Sequence, residues 1–290
     1  MWRRLLPLGA ALSAVFLLAP AGPQARPGTH ECGLPDTRPL WLDYAEGSVG
    51  FRKEVFGRPG VIAATSGIQV ASELRRAGAQ TVYWWNKLGQ LVGTTAAPAD
   101  PATIPAQANR LVDRAIASSG CSTPRIVLNE LNGPGTTTPW TATNAQYRAN
   151  VLALLQGIAA RGARAYLLLP AAPYTGGEAL EWWRKAAEVA DLVPEVYFNA
   201  PRIMRMGPIL GSRAMRQAFR EAVANLTSIG VDPARIGLVL GFQSGPGKGG
   251  REGLQPTSAW LRFVKLQTLA AKQVAGELGL GTLISWGSRS

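Results

Sequence analysis

Short uninterrupted runs of apolar residues recur along the chain, separated by longer segments in which apolar residues return every three or four positions. Continuous apolar runs are typical of parallel strands buried on both faces, and the longer segments predict amphipathic helices. The pattern predicts eight strands, at residues 39–45, 61–65, 81–85, 125–130, 165–169, 193–199, 236–243 and 281–287.

Helices are predicted between most of these strands, at about 67–77, 101–118, 144–161, 176–190 and 212–229, with another beginning near 256. Eight strand–helix units in one domain favour a (β/α)8 TIM barrel over an open doubly wound sheet. No GxGxxG motif follows the first strand, and the glycine-rich loop 244–250 lacks the Walker lysine-serine pair. The chain stops just after the eighth strand, so we expect a barrel that lacks the last helix, either completed otherwise or truncated.

The N-terminal residues 1–25 have the pattern of a signal peptide. Arg3-Arg4 precede an apolar stretch at 5–18 and a small-residue cleavage site at 19–21, with Ala25 as an alternative site. An uncleaved membrane anchor is the other interpretation, but the apolar stretch is short for a bilayer and contains Pro7. We therefore expect a secreted protein without stable membrane insertion, with a linker arm at 26–38 and a barrel domain at 39–290.

The chain has two cysteines, Cys32 and Cys121. Export permits a disulfide, which would join the N-terminal arm to the segment before the fourth strand. Two free thiols are the alternative. Two cysteines and the lone His30 cannot build a metal site, so we expect no metal and no cofactor.

The formal net charge is +12, and its arginines are spread over many predicted helices without a tight cluster. Outside the cell this charge favours anionic surfaces or polymers, such as cell-wall glycans. A GC-rich coding sequence explains the same composition equally well. No basic stripe is interleaved with aromatic residues, so a nucleic-acid partner is not expected.

The fourth predicted strand ends in Asn129-Glu130, which makes Glu130 the first candidate for a catalytic residue. A (β/α)8 barrel carries its active site at the carboxyl ends of its strands. Strict alternation places Ile126, Leu128 and Glu130 on one face, with Glu130 at the lip of the barrel. The alternatives are a helix cap or a pairing with arginine.

The sixth predicted strand carries polar residues at alternate positions. Val196 and Phe198 should face the helices, which turns Glu195, Tyr197 and Asn199 toward the barrel interior. A buried carboxylate is unfavourable unless it is paired or used in chemistry. Glu195 is therefore a second catalytic candidate, and half of a structural ion pair is the alternative.

Further polar and aromatic residues lie near the predicted strand ends, which is the combination that a sugar cleft uses: aromatic rings stack on sugar faces, amides bind hydroxyl groups, and two carboxyl groups flank the bond to be cleaved. Asp43 on the first strand is the third catalytic candidate. Packing is the alternative for the aromatic rings. The predicted substrate-binding residues are Asn129, Tyr197, Asn199, Gln243, Trp85, Trp286, Trp41 and Trp140.

Asn129-Glu130 and Ser285-Trp286 resemble the large clan of retaining glycoside hydrolases with (β/α)8 barrels, and the chain as a whole resembles secreted actinobacterial barrel proteins. The clan resemblance implies that Glu130 is the general acid/base, that Asn129 binds the sugar 2-hydroxyl and that Trp286 floors the site. The clan's nucleophile is a glutamate at the end of strand seven, where this chain has Gln243.

Three alternatives follow from Gln243: Glu195 or Asp43 supplies the second carboxylate, Glu252 folds back from the strand-seven loop, or the barrel binds glycan without cleaving it. The leading hypothesis is a secreted glycan-active hydrolase that acts on a polysaccharide or cell-wall glycan. The basic net charge favours an anionic glycan. A non-catalytic carbohydrate-binding barrel is the first alternative. A barrel enzyme with a non-sugar substrate is the second, because a fold does not fix a function.

Overall fold

The computed structural model describes residues 32–45, 56–131, 140–170, 172–241 and 254–286. Eight parallel strands form one closed barrel in chain order, and β1 pairs with β8 to close it. The strands are β1 Leu40–Tyr44, β2 Ile62–Thr65, β3 Gln80–Trp85, β4 Arg125–Leu128, β5 Arg164–Leu169, β6 Ala190–Val196, β7 Gly237–Gly241 and β8 Thr282–Trp286. The predicted TIM barrel is confirmed.

From β2 to β8, the described helices lie between successive strands and cover the outside of the barrel. They are α1 Ile68–Arg76, α2 Gly89–Val92, α3 Ile104–Ser119, α4 Ala145–Ala160, α5 Glu178–Val189, α6 Ala200–Arg205, α7 Gly207–Ser228 and α8 Thr257–Leu278. The short helices α2 and α6 were not predicted, because four to six residues carry too little periodicity to be recognised. Within the described residues no helix follows β8.

The core has two concentric layers. Inward side chains from all eight strands fill the barrel, with Trp84 on β3 and Tyr166 on β5 the largest. The alternate residues of the strands pack against the helices in a larger outer layer. This alternation decides whether a polar side chain on a strand reaches the barrel interior or the helix layer.

β6 begins at Ala190 and ends at Val196, so it is shifted toward the N-terminus relative to the predicted 193–199. The strand ends early because Asn199 is the N-cap of the next helix. Its side chain accepts a hydrogen bond from the Arg202 backbone N–H at 2.8 Å and caps α6.

Cys32 and Cys121 form a disulfide, as predicted. It joins the arm that precedes β1 to the turn that precedes β4, at the end of the barrel where strands begin. In the part of the chain that the structure describes, no helix is both long and apolar enough to span a bilayer. The predicted signal peptide and His30 lie outside the described residues.

Candidate active site at the carboxyl ends of the strands

The chain leaves β4 through a one-residue bulge at Asn129-Glu130. Leu128 lies opposite Leu167 of β5, but the N–H of Leu131 donates to Leu168 O at 2.9 Å, which sets Leu131 opposite Leu169. An advance of three residues along the β4 segment therefore corresponds to an advance of two residues along β5. Such a bulge changes the direction of the side chains that follow it.

The prediction that Glu130 shares one face of β4 with Ile126 and Leu128 is wrong because of this bulge. Ile126 and Leu128 pack in the helix layer, while Val127 faces the barrel interior. Strict alternation would place Glu130 among the helices with Ile126 and Leu128. The extra residue separates Glu130 from this pattern, and its carboxylate acts on Tyr197, which lines the barrel interior.

On β6 the predicted alternation is correct. Val196 and Phe198 pack in the helix layer, where the Phe198 ring meets Phe219 of α7 edge-on at 5.3 Å. Glu195 is 9% exposed, and Tyr197 packs against the residues that fill the barrel. The two polar side chains therefore follow one another up the inner wall.

Tyr197 is linked to both carboxylates. Burial raises the pKa of Tyr197 above its ordinary value, and the charge of Glu195, a hydrogen bond to Glu195 and the charge of Glu130 raise it further. The phenol therefore stays neutral and donates its hydrogen to the Glu195 carboxylate. This places Glu130, Glu195 and Tyr197 in one electrostatic group.

Trp286, the last residue of β8, adds an aromatic surface to this group. Its ring stacks on Tyr197 with centroids 5.7 Å apart and planes 24° apart. The Trp286 side chain remains partly exposed, unlike the fully buried Trp84 deeper in the barrel. An acid, a phenol and an open aromatic face thus meet at the carboxyl ends of β4, β6 and β8.

Asp43 and Trp41 lie on the other side of β1. Leu40 and Leu42 face the barrel interior, so the alternate residues Trp41 and Asp43 face outward. One carboxylate oxygen of Asp43 accepts hydrogen bonds from Trp41 Nε1 and Ser285 Oγ, both at 2.8 Å. The structure does not bring Asp43 or Trp41 together with Glu130, because the pleat of β1 turns them to the outer face.

Trp140 belongs to the helix layer. Its ring lies 5.6 Å from Trp182 and 6.1 Å from Trp183, both on α5, and the Arg148 guanidinium lies 4.3 Å from its centre. These contacts use the ring for packing between α4 and α5. The structure does not bring Trp140 to the group at Glu130.

Trp85, at the end of β3, also faces outward but stays at the same end of the barrel as Glu130. Its backbone carbonyl accepts from the Asn129 N–H at 2.9 Å, and Arg114 lies 5.4 Å from its ring centre. A cavity of about 240 Å³ opens beside the ring, lined also by Tyr83 and Lys87. Trp85 therefore lies next to the group at Glu130, separated from it by the Asn129 strand end.

Among the remaining predicted residues, Asn129 is half-buried beside Glu130, and Asn199 caps α6. Gln243 and Glu252 lie outside the described residues. Gln267 on α8 was not predicted: it is a fully buried amide whose two ends face the N–H and the C=O of Gly241 at 3.3 Å. A polar residue on the apolar face of a helix was the available signal.

Potential metal ligands do not cluster at this site. Over the described ranges, which omit residues 46–55, 132–139, 171, 242–253 and both ends, no three histidine, cysteine or carboxylate side chains lie close enough to hold a metal ion. The chemistry that the described side chains offer is proton donation, hydrogen bonding and aromatic stacking.

Comparison with known proteins finds similarity of fold at low sequence identity. No protein-family model and no curated protein matches the chain. The spore cortex-lytic enzyme SleL of Bacillus megaterium QM B1551 is 10% identical, over 85% of this chain and 70% of that one, with a TM-score of 0.50.

Two other solved structures illustrate the range of similar barrels. A chitinase from Rhizomucor miehei is 12% identical over 86% of this chain and 93% of that one, with a TM-score of 0.48. D-psicose 3-epimerase from Clostridium cellulolyticum H10 is 11% identical over 86% and 85%, with a TM-score of 0.48. At such identities the comparisons show the (β/α)8 fold and do not fix an activity.

Proposed function

We propose that the protein is an exported hydrolase that cleaves glycosidic bonds at the carboxyl ends of β4, β6 and β8. The observation that carries the proposal is the stacking of Tyr197 on Trp286 at this end of the barrel, within reach of the charge of Glu130. Carboxylate, phenol and open aromatic face are the three groups with which proteins hold and protonate a sugar. The spore cortex-lytic and chitinase activities of the similar barrels agree with this substrate class.

Glu130 is the proposed proton donor. It follows the β4 bulge, half-buried, so its carboxyl can meet a substrate that enters from solvent. In the reaction the Glu130 carboxyl gives its proton to the glycosidic oxygen as the bond to the anomeric carbon breaks. Water then forms the new bond to the anomeric carbon and returns a proton to the Glu130 carboxylate. Trp286 stacks on the sugar face and orients it, and Asn129 beside Glu130 binds a sugar hydroxyl.

Glu195 is proposed as a positioning residue. It precedes Tyr197 by two residues, so its backbone lies about 6.6 Å deeper along the strand direction. Its carboxylate accepts the Tyr197 hydroxyl, which fixes that hydroxyl at the site. A nucleophile must reach the anomeric carbon of the substrate. Glu195 is not placed to do so, because Tyr197 lies between Glu195 and the open carboxyl end of the barrel.

This arrangement favours a substrate that carries its own nucleophile. At the mouth, the residues that the structure describes offer Glu130 as the outermost carboxylate, since Asp43 faces outward on β1. Substrate-assisted glycosidases use the carbonyl of a 2-acetamido group in place of an enzyme nucleophile. We therefore place N-acetylated glycans, which include bacterial cell-wall polymers, first among the candidate substrates.

A binding barrel without hydrolysis is the second candidate function. It is favoured by the burial of Glu195 beneath Tyr197 and by an amide, Gln243, two residues beyond β7. In this case Trp286 and Tyr197 would hold a glycan that Glu130 does not protonate.

The test is a panel of insoluble chitin, peptidoglycan, β-1,4-galactan and polygalacturonate incubated with the purified protein. New reducing ends are counted, and retention on each polymer is measured in parallel. Release from an N-acetylated polymer supports the hydrolase, and retention without release supports the binding barrel. Neither release nor retention on any glycan contradicts both candidate functions.

A further inference from the structure

The end of the barrel where strands begin carries a cluster of arginines around one buried carboxylate. Arg125 and Arg164 are the first residues of β4 and β5, and Arg235 precedes β7. All three lie within 4 Å of Asp191 on β6, at 3.8, 2.8 and 3.6 Å respectively. The sequence predicted no tight basic cluster; that prediction is wrong, because the barrel brings together residues that are far apart in the chain.

One of these arginines forms a hydrogen bond with Asp191. Arg164 Nε donates to Asp191 Oδ1 at 2.8 Å, and its other nitrogen donates to the backbone oxygens of Ala187 and Ala190. The Asp191 side chain is 7% exposed. This pair alone balances the charge that the barrel buries there.

Arg125 and Arg235 are therefore in excess. Their distances to Asp191 exceed hydrogen-bond length, and among the described residues neither guanidinium donates a hydrogen bond. Arg125 lies over the Tyr166 ring at 5.9 Å, with its side chain 15% exposed, and Arg235 is 43% exposed. Each guanidinium has five N–H donors, which remain directed at solvent or a ligand.

A concave surface stands in front of these donors. A cavity of about 470 Å³ is lined by Arg125, Arg164 and Arg235, with Glu188 as the facing carboxylate. A second cavity of about 540 Å³ shares Glu188 and Arg235 and adds Arg184. Three guanidinium groups thus face Asp191 and Glu188, and the groove keeps a positive charge.

We propose that this groove is a binding site for a phosphate or sulfate oxyanion, held between Arg125 and Arg235. Arginine is suited to this ligand because its planar guanidinium binds two oxyanion oxygens at once. One arginine is enough to neutralise one buried carboxylate, so the further charges of Arg125 and Arg235 are available to an anion. The adjoining cavity allows the oxyanion to belong to a longer polymer.

The test is calorimetric titration of the full protein with inorganic phosphate and with sulfate, in chloride buffer of constant ionic strength near pH 7. We expect saturable binding. Arg235→Gln and Arg125→Gln should each weaken it about tenfold or more, because each removes a charge-assisted hydrogen-bond partner. Arg220→Gln is the matched control, since Arg220 is 40% exposed and pairs with Glu277 on the α7–α8 surface.

Failure of the parent protein to bind either anion saturably would overturn the proposal, and so would equal affinity in Arg235→Gln. Circular dichroism of the variants shows whether the fold is kept, which is expected because Arg235 is half exposed. A column of immobilised poly(glycerol phosphate) distinguishes the source of the anion. If the column retains the parent protein but not Arg235→Gln, the ligand is a phosphodiester polymer. If the parent protein binds phosphate in solution but is not retained on the column, the ligand is the free anion. Both results support the site, independently of any glycan cleavage.

Discussion

Tyr197 lies two residues after Glu195 on the same inner wall of the barrel, where burial and the neighbouring Glu195 carboxylate raise the pKa of the phenol. This pairing separates the two carboxylates that the sequence had offered as catalytic partners. Glu130 stays half-buried at the mouth, and Glu195 is 9% exposed beneath a phenol. The roles of donor and positioning residue follow from this difference in depth.

The positioning role predicts how Glu195 tolerates substitution. Glu195→Gln keeps an oxygen that accepts the Tyr197 hydroxyl, so glycan cleavage should stay within about tenfold of the parent rate. Glu195→Ala removes the acceptor and should lower kcat about a hundredfold or more, as loss of an oriented active-site group does. The measurement is the rate of reducing-end release at saturating glycan. An equal loss of cleavage rate in both variants would indicate that Glu195 acts as a nucleophile and not as a positioning residue.

Three tyrosines should resist ionisation until the protein unfolds. Burial raises the pKa of Tyr197, Tyr166 and Tyr83 above their ordinary value near 10. The folded protein therefore keeps protons that the unfolded chain loses, so the free energy of unfolding should fall as the pH rises above about 10. Ultraviolet titration of phenolate absorbance, with and without denaturant, measures this. Ionisation of all six tyrosines in the folded protein would contradict it.

Two tryptophans should respond oppositely to truncation. Trp286→Ala removes an open ring that stacks on Tyr197, so glycan affinity should fall by about 1–3 kcal/mol with little change in stability. Trp140→Ala removes a ring packed between α4 and α5, so the protein should lose about 2–4 kcal/mol of unfolding free energy and keep its glycan affinity. Retention on the glycan and denaturant unfolding of both variants check this. The reverse assignment would mean that Trp140 faces substrate.

The disulfide should contribute strongly to stability. Cys32 and Cys121 are 89 residues apart in the chain, and closing a loop of this length removes much of the conformational freedom of the unfolded state. We expect the Cys32→Ser, Cys121→Ser double variant to lose about 2–5 kcal/mol in denaturant unfolding. The parent with reductant should behave as the double variant does. If the free energy of unfolding changes neither in the double variant nor in the reduced parent, the disulfide does not contribute to stability.

The strands were predictable because each is a short apolar run, and the inward side of β6 was predictable because Val196 and Phe198 are apolar. The side of β4 on which Glu130 lies was not predictable. Alternation from Ile126 and Leu128 places Glu130 in the helix layer, and only a hydrogen bond to β5, from Leu131 to Leu168, reveals the extra residue. A bulge depends on the neighbouring strand, which local sequence does not contain.

The same reason explains the other differences. Nothing in the first strand says which of its two faces is the interior, so Asp43 was assigned to a site that it does not face. The arginines around Asp191 come from three separate strand ends and meet only after the barrel closes. The facing of β6 was predictable from that strand alone, whereas the facing of β1 and β4 and the arginine cluster required the structure.

The most direct test of the account is the rate of glycan cleavage by Glu130→Gln. An amide cannot donate the proton that the leaving oxygen needs, so the rate should fall by about 10²–10⁴ while circular dichroism stays unchanged. Glu221→Gln is the control: Glu221 lies on the exposed surface of α7, where it accepts a hydrogen bond from Gln217, and its substitution should leave the rate unaltered. If Glu130→Gln cleaves the same glycan at the parent rate, Glu130 is not the proton donor and the account is wrong.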